Sequence, residues 1–132
     1  MEVRGIVVVD DDNDIRKLIA DFLGGEDYDN YEIVIAVFED GEIAWQFMEE
    51  CGSIVDLLIT DLEMPKMDGR TLLEKVKGEY PEIKVIMMSG KKAAERIAKE
   101  AGADRFLKKP FKLEQLRMVV QELLPQALFT FL

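Results

Sequence analysis

The sequence predicts an α/β domain built as a doubly wound, five-stranded parallel sheet. Short apolar runs rich in valine and isoleucine alternate five times with segments whose apolar residues recur at helical spacing. Strands that are buried on both faces read as continuous apolar runs, and parallel strands are usually joined by helices. Five β-α units in succession therefore favour one sheet with helices on both faces and right-handed crossovers.

The first β-α unit starts with the β-branched run 6–9, which stops abruptly at an acidic stretch. Apolar residues at helical spacing follow, namely Ile15, Leu18, Ile19 and Phe22. Asp12 or Asn13 is placed to cap the first turn of this helix, and Gly24 and Gly25 are placed to end it. The unit is therefore a strand that leads through acidic residues into a helix.

The later units repeat this alternation. The remaining strands are predicted at 31–37, 55–60, 84–88 and 105–108. The inner faces of the remaining helices are predicted to be Ile43, Ala44, Phe47 and Met48; Leu72, Leu73 and Val76; Ala93, Ala94, Ile97, Ala98 and Ala101; and Leu113, Leu116, Val119, Val120, Leu123 and Leu124. Pro65, Asp68 and Gly69 mark a turn before the third helix, and Gly102 closes the fourth.

The length of the chain bounds the number of domains. With 132 residues, of which 48% are hydrophobic, it matches one ordinary domain with a core of its own. We expect the domain to occupy residues 1–124 and an apolar tail to occupy residues 125–132. This tail has three open interpretations: packing on the domain, joining a dimer interface, or being what remains of a longer protein.

The charge and the residue types exclude several classes of function. A net charge of -10 and a pI near 4.5, with no basic stripe, argue against direct nucleic-acid binding. The absence of histidine removes the commonest general base and metal ligand, so any chemistry must use carboxylates, lysines and hydroxyls. The single Cys51 and the lack of a leader favour a cytoplasmic location. No apolar run approaches the roughly 20 residues that span a bilayer.

Polar side chains follow four of the five predicted strands. Asp10 and Asp11 follow the first strand, Asp61 the third and Ser89 the fourth, and the fifth strand ends at Lys108 and Lys109. Ligands of open parallel sheets bind beyond the carboxyl ends of the strands, at the point where the strand order reverses. With strand order 2-1-3-4-5, the first and third strands are neighbours about 4.8 Å apart. Their terminal carboxylates are then crowded together.

Asp10, Asp11 and Asp61 repel one another at such separations and require a compensating cation at neutral pH. Oxygen ligands with room for water favour Mg²⁺, with Mn²⁺ as an alternative, over zinc. Lys109 adds a positive charge and Ser89 a hydroxyl donor. These parts match the needs of phosphoryl transfer: a carboxylate nucleophile, a bridging cation and donors for the remaining oxygens.

Each of these residues also has an ordinary structural interpretation. An acidic run after a strand is often a solvated loop and helix cap. Ser89 can serve as the cap of the fourth helix, and Lys108 and Lys109 can be surface charges. A lysine at the end of a short buried strand is nevertheless costly unless it is paired. The combination of residues, more than any one of them, favours a site.

Four segments carry a family resemblance that covers nearly the whole chain. They are VVVDDD at 7–12, DLLITDLEMPKMDG at 56–69, MMSG at 87–90 and FLKKPF at 106–111. In this order they resemble the signature segments of response-regulator receiver domains of two-component signalling, including stand-alone receivers of the chemotaxis type. The resemblance implies the flavodoxin-like fold and a switch controlled by phosphorylation.

The resemblance also implies a role for each site residue. Asp61 would be the phosphoacceptor, and Asp10, Asp11, Asp61 and the backbone carbonyl of Glu63 would hold Mg²⁺. Lys109 would pair with the phosphoryl group, in a segment where the family suggests a cis Lys109–Pro110 bond. Ser89 would move toward the phosphoryl group, and Phe106 would be the aromatic switch residue.

The chain departs from the family at both switch positions. The family more often has threonine where Ser89 stands and frequently tyrosine where Phe106 stands, and we expect signalling to survive both changes. Glu63 and Lys91 each come two residues after a site residue. One hypothesis makes them an ion pair that screens the aspartyl phosphate from water, and the alternative is two solvated side chains.

The implied function is a signalling switch, with no enzymatic activity beyond catalysis of its own phosphorylation and dephosphorylation. Because histidine is absent, the donor must be a separate histidine kinase, a phosphotransfer protein or a small acyl phosphate. The output is expected at the face of the fourth helix, fifth strand and fifth helix, toward an unidentified effector protein. We expect a monomer or a dimer that depends on phosphorylation.

Two other functions stay open from the sequence. One is an aspartate-nucleophile phosphatase of the haloacid-dehalogenase type, which also forms an aspartyl phosphate at a strand end. In that family, however, the nucleophile follows the first strand and a substrate cap is expected. The other is a scaffold that works without phosphorylation, which the complete set of acidic residues disfavours.

Overall fold

The computed structural model describes residues 2–25 and 31–124. Its strands are β1 Glu2–Val9, β2 Tyr31–Phe38, β3 Val55–Asp61, β4 Lys84–Ser89 and β5 Arg105–Lys108. Its helices are α1 Asn13–Gly24, α2 Gly41–Cys51, α3 Gly69–Glu79, α4 Ala94–Ala101 and α5 Leu113–Leu123, with a short 3-10 turn at Gly52–Ile54. The predicted tail, 125–132, lies outside the described residues.

The strands form one parallel sheet in the order β2-β1-β3-β4-β5, as the sequence predicts. Helices cover both faces, so the sheet has two apolar clusters. Neighbouring residues of β1 divide between them: Val7 and Val9 belong to the cluster under α2, α3 and α4, whereas Ile6 and Val8 belong to the cluster under α1 and α5. All four side chains are buried, which explains the continuous β-branched run.

Four strands extend beyond the predicted ends, β2 only by Phe38. β1 begins at Glu2, because it pairs with β2 from Glu2 opposite Tyr31 to Val9 opposite Phe38. β3 includes Asp61, and β4 includes Ser89. In the ladders Asp61 lies opposite Met88, and Ser89 lies opposite Lys108. Two predicted site residues are therefore held by the sheet itself and not by a loop.

Three residues predicted on inner helix faces are exposed, and one of them, Ala93, is the N-cap of α4. Leu18 in α1 is 48% exposed and Ile43 in α2 is 38% exposed. Each helix buries a narrower stripe than the sequence suggests: Ile19 and Leu23 in α1, and Ala44 and Met48 with Gly41 in α2. A residue next to a buried position points about 100° away from it on a helix, so Leu18 beside Ile19 and Ile43 beside Ala44 face solvent.

Aspartates cap the first three helices. Asp12 is the N-cap of α1, where its carboxylate accepts from the amides of Asp14 and Ile15. Asp40 and Asp68 cap α2 and α3 in the same way. The first acidic stretch therefore has two functions, because Asp12 serves the helix and leaves its neighbours for the site.

α4 is short, with eight residues. Its N-cap is Ala93, which makes no side-chain cap, so the interpretation of Ser89 as the cap of this helix is wrong. Gly102 ends α4 in the left-handed conformation, with φ of 100°, which glycine adopts without strain. None of the helices in the described part of the chain has the length and hydropathy of a membrane-spanning segment.

Candidate functional site

The carboxyl ends of β1, β3, β4 and β5 meet at one edge of the sheet. The loop after β3 is tied to its neighbours, because the amide of Leu62 donates to the carbonyl of Met88 at 2.9 Å. The amide of Gly69 donates to the carbonyl of Leu62, also at 2.9 Å. Gly69 packs so closely here that a Cβ atom would overlap the carbonyl oxygen of Asp61. Glycine at this position therefore lets the loop close against the end of β3.

Asp10, Asp11 and Asp61 form one acidic cluster. Each offers a carboxylate oxygen, and these oxygens lie within 4.8 Å of one another. Asp10 is fully buried and Asp61 is 4% exposed, whereas Asp11 is open to solvent. The adjacency of β1 and β3 brings these residues together, as the strand order predicts.

Lys109 is the basic side chain beside this cluster. Its ammonium donates to Asp10 Oδ2 at 2.7 Å and lies 3.4 Å from Asp61 Oδ1. The peptide bond between Lys109 and Pro110 is cis, as the family resemblance suggests, and the amide of Lys109 donates to the carbonyl of Ser89 at 2.9 Å. The neighbouring Lys108 is exposed, so of the two predicted lysines it is Lys109 that reaches the cluster.

The cluster shifts the pKa of Asp61. Burial raises the pKa of this carboxyl to about 6, and the negative charges of Asp10 and Glu63 add to the effect. The positive charge of Lys109 opposes it. For Lys109 itself, burial lowers the pKa, but the hydrogen bond and charge of Asp10, with a smaller contribution from Asp61, raise it above the ordinary value of a lysine.

One oxygen of the cluster lacks a hydrogen-bond partner. Among the described residues, Asp61 Oδ1 is the buried side-chain atom that accepts no hydrogen bond. Buried polar atoms are nearly always paired, so an orphaned carboxylate oxygen beside two further carboxylates fits a ligand for a hard cation. The donor set, all oxygen with an exposed member in Asp11, suits Mg²⁺ or Mn²⁺.

Ser89 is fully buried, but its hydroxyl is directed at Glu63. Ser89 Oγ lies 2.8 Å from Glu63 Oε1 and 2.9 Å from Glu63 Oε2. Lys91 takes part only through its backbone amide, which donates to Ser89 Oγ at 3.1 Å. The hypothesis that Glu63 pairs with the Lys91 ammonium is therefore wrong, because Glu63 binds the serine instead.

The remaining predicted residues lie around this centre. Phe106 is half-buried and packs against the cluster under α2, α3 and α4. The roles assigned to Phe106 as a switch and to the Glu63 carbonyl as a ligand stay predictions. A cavity of about 560 Å³ opens beside the site, lined by residues that include Asp11, Glu63, Pro65 and Lys91.

Arg16 is a site residue that the sequence analysis missed. Its guanidinium donates to the backbone carbonyl of Asp10 at 2.6 Å and to Asn13 Oδ1 at 3.0 Å. It thereby links the residue that follows β1 to the start of α1. Its position one helical turn after the capping Asp12 is the signal that identifies it, because that turn faces back toward the end of the strand.

Known proteins share this fold and these segments. The response regulator receiver domain family matches residues 6–121. The sensor kinase CckA of Brucella abortus is 36% identical over 122 residues, which are 90% of this chain and 12% of the kinase. The transcriptional regulator NtrC of Escherichia coli is 34% identical over 122 residues, or 89% of this chain and 24% of that protein.

Solved receiver structures superpose on nearly the whole chain. The receiver domain of NtrX from Brucella abortus has a TM-score of 0.77 and 30% identity, covering 92% of this chain and 99% of that domain. A receiver domain protein from Clostridium thermocellum has a TM-score of 0.79 and 26% identity, covering 93% and 95% of the two chains.

The chain spans only part of its curated relatives, from 12% of the sensor kinase CckA to 52% of the regulator CiaR of Streptococcus pneumoniae. Asp61, the candidate phosphoacceptor, is the last residue of β3, whereas the phosphatase alternative requires a nucleophile after the first strand. The family match, the fold and the acidic edge of the sheet agree, and the chain belongs to the response regulator receiver domain family.

Proposed function

We propose that this chain is a phosphorylation-controlled signalling switch that accepts a phosphoryl group on Asp61. The observation that carries the proposal is the buried Asp61 carboxylate, whose Oδ1 atom has no hydrogen-bond partner among the described residues and lies beside Asp10, Asp11 and Lys109. A pKa near 6 leaves this carboxylate mostly ionised at neutral pH, as a nucleophile requires.

The chemistry assigned to the chain is a direct displacement at phosphorus. One carboxylate oxygen of Asp61 forms a new P–O bond while the donor's P–N or P–O bond breaks, and the donor leaves with the electron pair of that bond. The Lys109 ammonium faces the carboxylates and offsets the negative charge that the phosphoryl group brings. Ser89 is assigned as the hydroxyl that later moves toward the phosphoryl group.

A divalent cation would be held by the carboxylates of Asp10, Asp11 and Asp61 with the backbone carbonyl of Glu63. When bound, Mg²⁺ would neutralise part of the charge on the phosphoryl oxygens. The orphaned oxygen of Asp61 and the exposure of Asp11 support this assignment, because together they offer ligands on one side and access to water on the other.

The donor is assigned as a separate histidine kinase or phosphotransfer protein, because the chain has no histidine. The match to two sensor kinases, CckA and TmoS, supports a place in two-component signalling. The output is assigned to the face of α4, β5 and α5, where the half-buried Phe106 of β5 is the assigned switch residue. The effector is assigned as an unidentified protein partner.

Further parts of the proposal concern the chain as a whole. Phosphorylation and dephosphorylation would both be catalysed by the same carboxylates and lysine, without a separate substrate. The functional unit would be residues 1–124, in the cytoplasm, as a monomer or as a dimer that forms on phosphorylation. The cavity beside Asp11 and Glu63 supports access of a donor or of water to this edge of the sheet.

The test is intact-mass spectrometry after incubation with acetyl phosphate, with Mg²⁺ or with EDTA. We expect the wild type to gain one phosphoryl group only with Mg²⁺, and Asp61→Asn to gain none. Asp14→Asn, at an exposed acid in the first turn of α1, is the matched control and keeps the gain. Absence of any gain in the wild type would favour the scaffold function instead.

A further inference from the structure

In this conformation the hydroxyl group of Ser89 donates its hydrogen bond to the carboxylate of Glu63. Ser89 Oγ lies within 2.9 Å of both carboxylate oxygens of Glu63, and it accepts a hydrogen bond from the Lys91 amide at 3.1 Å. Asp61 Oδ1, by contrast, receives no hydrogen bond. Ser89, whose hydroxyl is assigned to move toward the phosphoryl group, is therefore hydrogen-bonded to Glu63 and not to Asp61.

The contact is strong for a single side-chain pair. Ser89 is fully buried, so its hydroxyl has no exposed surface through which water replaces the partner. Its acceptor is the carboxylate of Glu63, and hydrogen bonds to ionised acceptors are roughly twice as strong as those between neutral groups. Movement of the hydroxyl toward Asp61 must break this bond before it gains a new one.

We propose that Glu63 is a positioning residue that holds Ser89 in the unphosphorylated conformation and so sets the threshold for activation. Glu63 acts through Ser89, and its side chain does not touch the reacting atoms. This inference rests on the proposed function, since it assumes that Ser89 moves when an anion occupies Asp61. It assigns a restraining role to the side chain of a residue whose backbone carbonyl is the predicted metal ligand.

The charge of Glu63 has a second, simpler effect that the test must separate. Its carboxylate is negative and close enough to raise the pKa of Asp61, so its removal also reduces repulsion of an incoming phosphoryl group. That effect does not require the serine hydroxyl. A double-mutant cycle between Glu63 and Ser89 isolates the part that does.

The experiment uses beryllofluoride, a phosphoryl mimic, with Mg²⁺ and the full chain. Bound fluoride is measured by ¹⁹F NMR as beryllofluoride is titrated into the wild type, Glu63→Ala, Ser89→Ala and the double variant. We expect Glu63→Ala to lower the half-saturating concentration about tenfold when Ser89 is present, as loss of one charge-assisted hydrogen bond predicts. In the Ser89→Ala background we expect about a twofold decrease, from charge alone.

Glu63→Gln controls for the loss of side-chain volume in Glu63→Ala. Glu63→Gln keeps the length and an acceptor oxygen but not the charge, so it should lower the half-saturating concentration by about threefold when Ser89 is present. Urea unfolding of each variant establishes that it is folded. Glu63 is only partly buried, so its substitution leaves the core intact.

The outcomes separate the two proposals. If Glu63→Ala changes the half-saturating concentration equally in both serine backgrounds, Glu63 acts by charge alone and the restraining role is wrong. If the wild type binds no beryllofluoride, the proposed function fails, and the restraining role falls with it. A wild type that saturates normally, with a Glu63 effect that depends on Ser89, supports both.

Discussion

Lys109 Nζ lies 2.7 Å from Asp10 Oδ2 and so joins the end of β5 to the end of β1. β3 and β4 lie between these two strands in the sheet, so the contact spans the carboxyl ends of both. Asp10 is fully buried, and a buried carboxylate without a partner is costly. In the metal-free protein, Lys109 therefore serves stability as well as the chemistry assigned to it.

Replacement of Lys109 should destabilise the metal-free protein. We expect Lys109→Met to lower the free energy of unfolding by about 2 kcal/mol in EDTA, because Asp10 loses its ion-pair partner in a buried position. Mg²⁺ should restore much of this loss through the acidic cluster. Urea unfolding with and without Mg²⁺ measures both, and Lys108→Met, at the exposed neighbour, should change the free energy by less than about 0.5 kcal/mol. An equal loss in the two variants would contradict the prediction.

The raised pKa of Asp61 should make stability depend on pH. Burial raises this pKa to about 6 in the folded protein, from an ordinary value of 3.8. The folded state therefore holds a proton that the unfolded state has released, and this contribution to stability is lost as the pH rises through about 6.

The variant Asp61→Asn removes this titration. Without metal, we expect Asp61→Asn to be more stable than the wild type by about 1 to 2 kcal/mol at pH 7.5, less than the full linkage value because of solvent screening. Near pH 4 the difference should be small, since the carboxyl is then largely protonated in the wild type. Thermal or urea unfolding across this range checks the sign, and a difference independent of pH would rule out Asp61 as its source.

Two glycines in the same helix should respond in opposite ways to alanine. Gly69, the first residue of α3, packs against the carbonyl of Asp61, so Gly69→Ala should cost about 2 kcal/mol and slow phosphorylation by acetyl phosphate. A Cβ at Gly78 meets no atom within 4 Å, so Gly78→Ala should gain about 0.5 to 1 kcal/mol and leave phosphorylation unchanged. Urea unfolding and intact mass are the measurements. Similar effects of the two substitutions would mean that the loop tolerates the extra atom.

Asp104 should contribute more to stability than the exposed ion pairs do. Its Oδ2 atom accepts from Lys77 Nζ at 2.7 Å and from the amide of Val85 at 2.8 Å, which ties α3 to the start of β4. We expect Asp104→Ala to lower the free energy of unfolding by about 2 kcal/mol. Glu100→Ala, which removes the exposed pair with Arg96, should cost less than about 0.5 kcal/mol. Urea unfolding decides between this ranking and an equal contribution.

The fold could be predicted because its strands and helices are each indicated by a pattern of residues within a short stretch of sequence. Continuous β-branched runs such as that from Ile6 to Val9 report burial on both faces, and turn residues separate them from helical stripes. Burial of individual residues was less predictable. Leu18 and Ile43 are as apolar as their buried neighbours, and only the packing of α1 and α2 decides that they face solvent.

The sequence predicted which residues form the candidate site better than it predicted the contacts between them. Asp10, Asp11, Asp61 and Lys109 follow from the rule that ligands gather at the carboxyl ends of parallel strands. The partner of Glu63 did not follow, because sequence spacing is equally compatible with Lys91 and with Ser89. The backbone beyond β4 turns the amide of Lys91 toward Ser89, and the Glu63 carboxylate binds the serine hydroxyl.

The sequence by itself determined the alternation of strands and helices and the acidic residues at the strand ends, because these depend on the order of residue types along the chain. The strand order and the identity of the candidate phosphoacceptor came with the family resemblance of its segments. Only the tertiary structure decided which side chains are paired. Lys109 binds Asp10, Glu63 holds Ser89, and Arg16 supports the carbonyl of Asp10. Each of these contacts joins residues from different elements or across a tight turn, so its formation depends on distances of a few ångströms that only packing fixes.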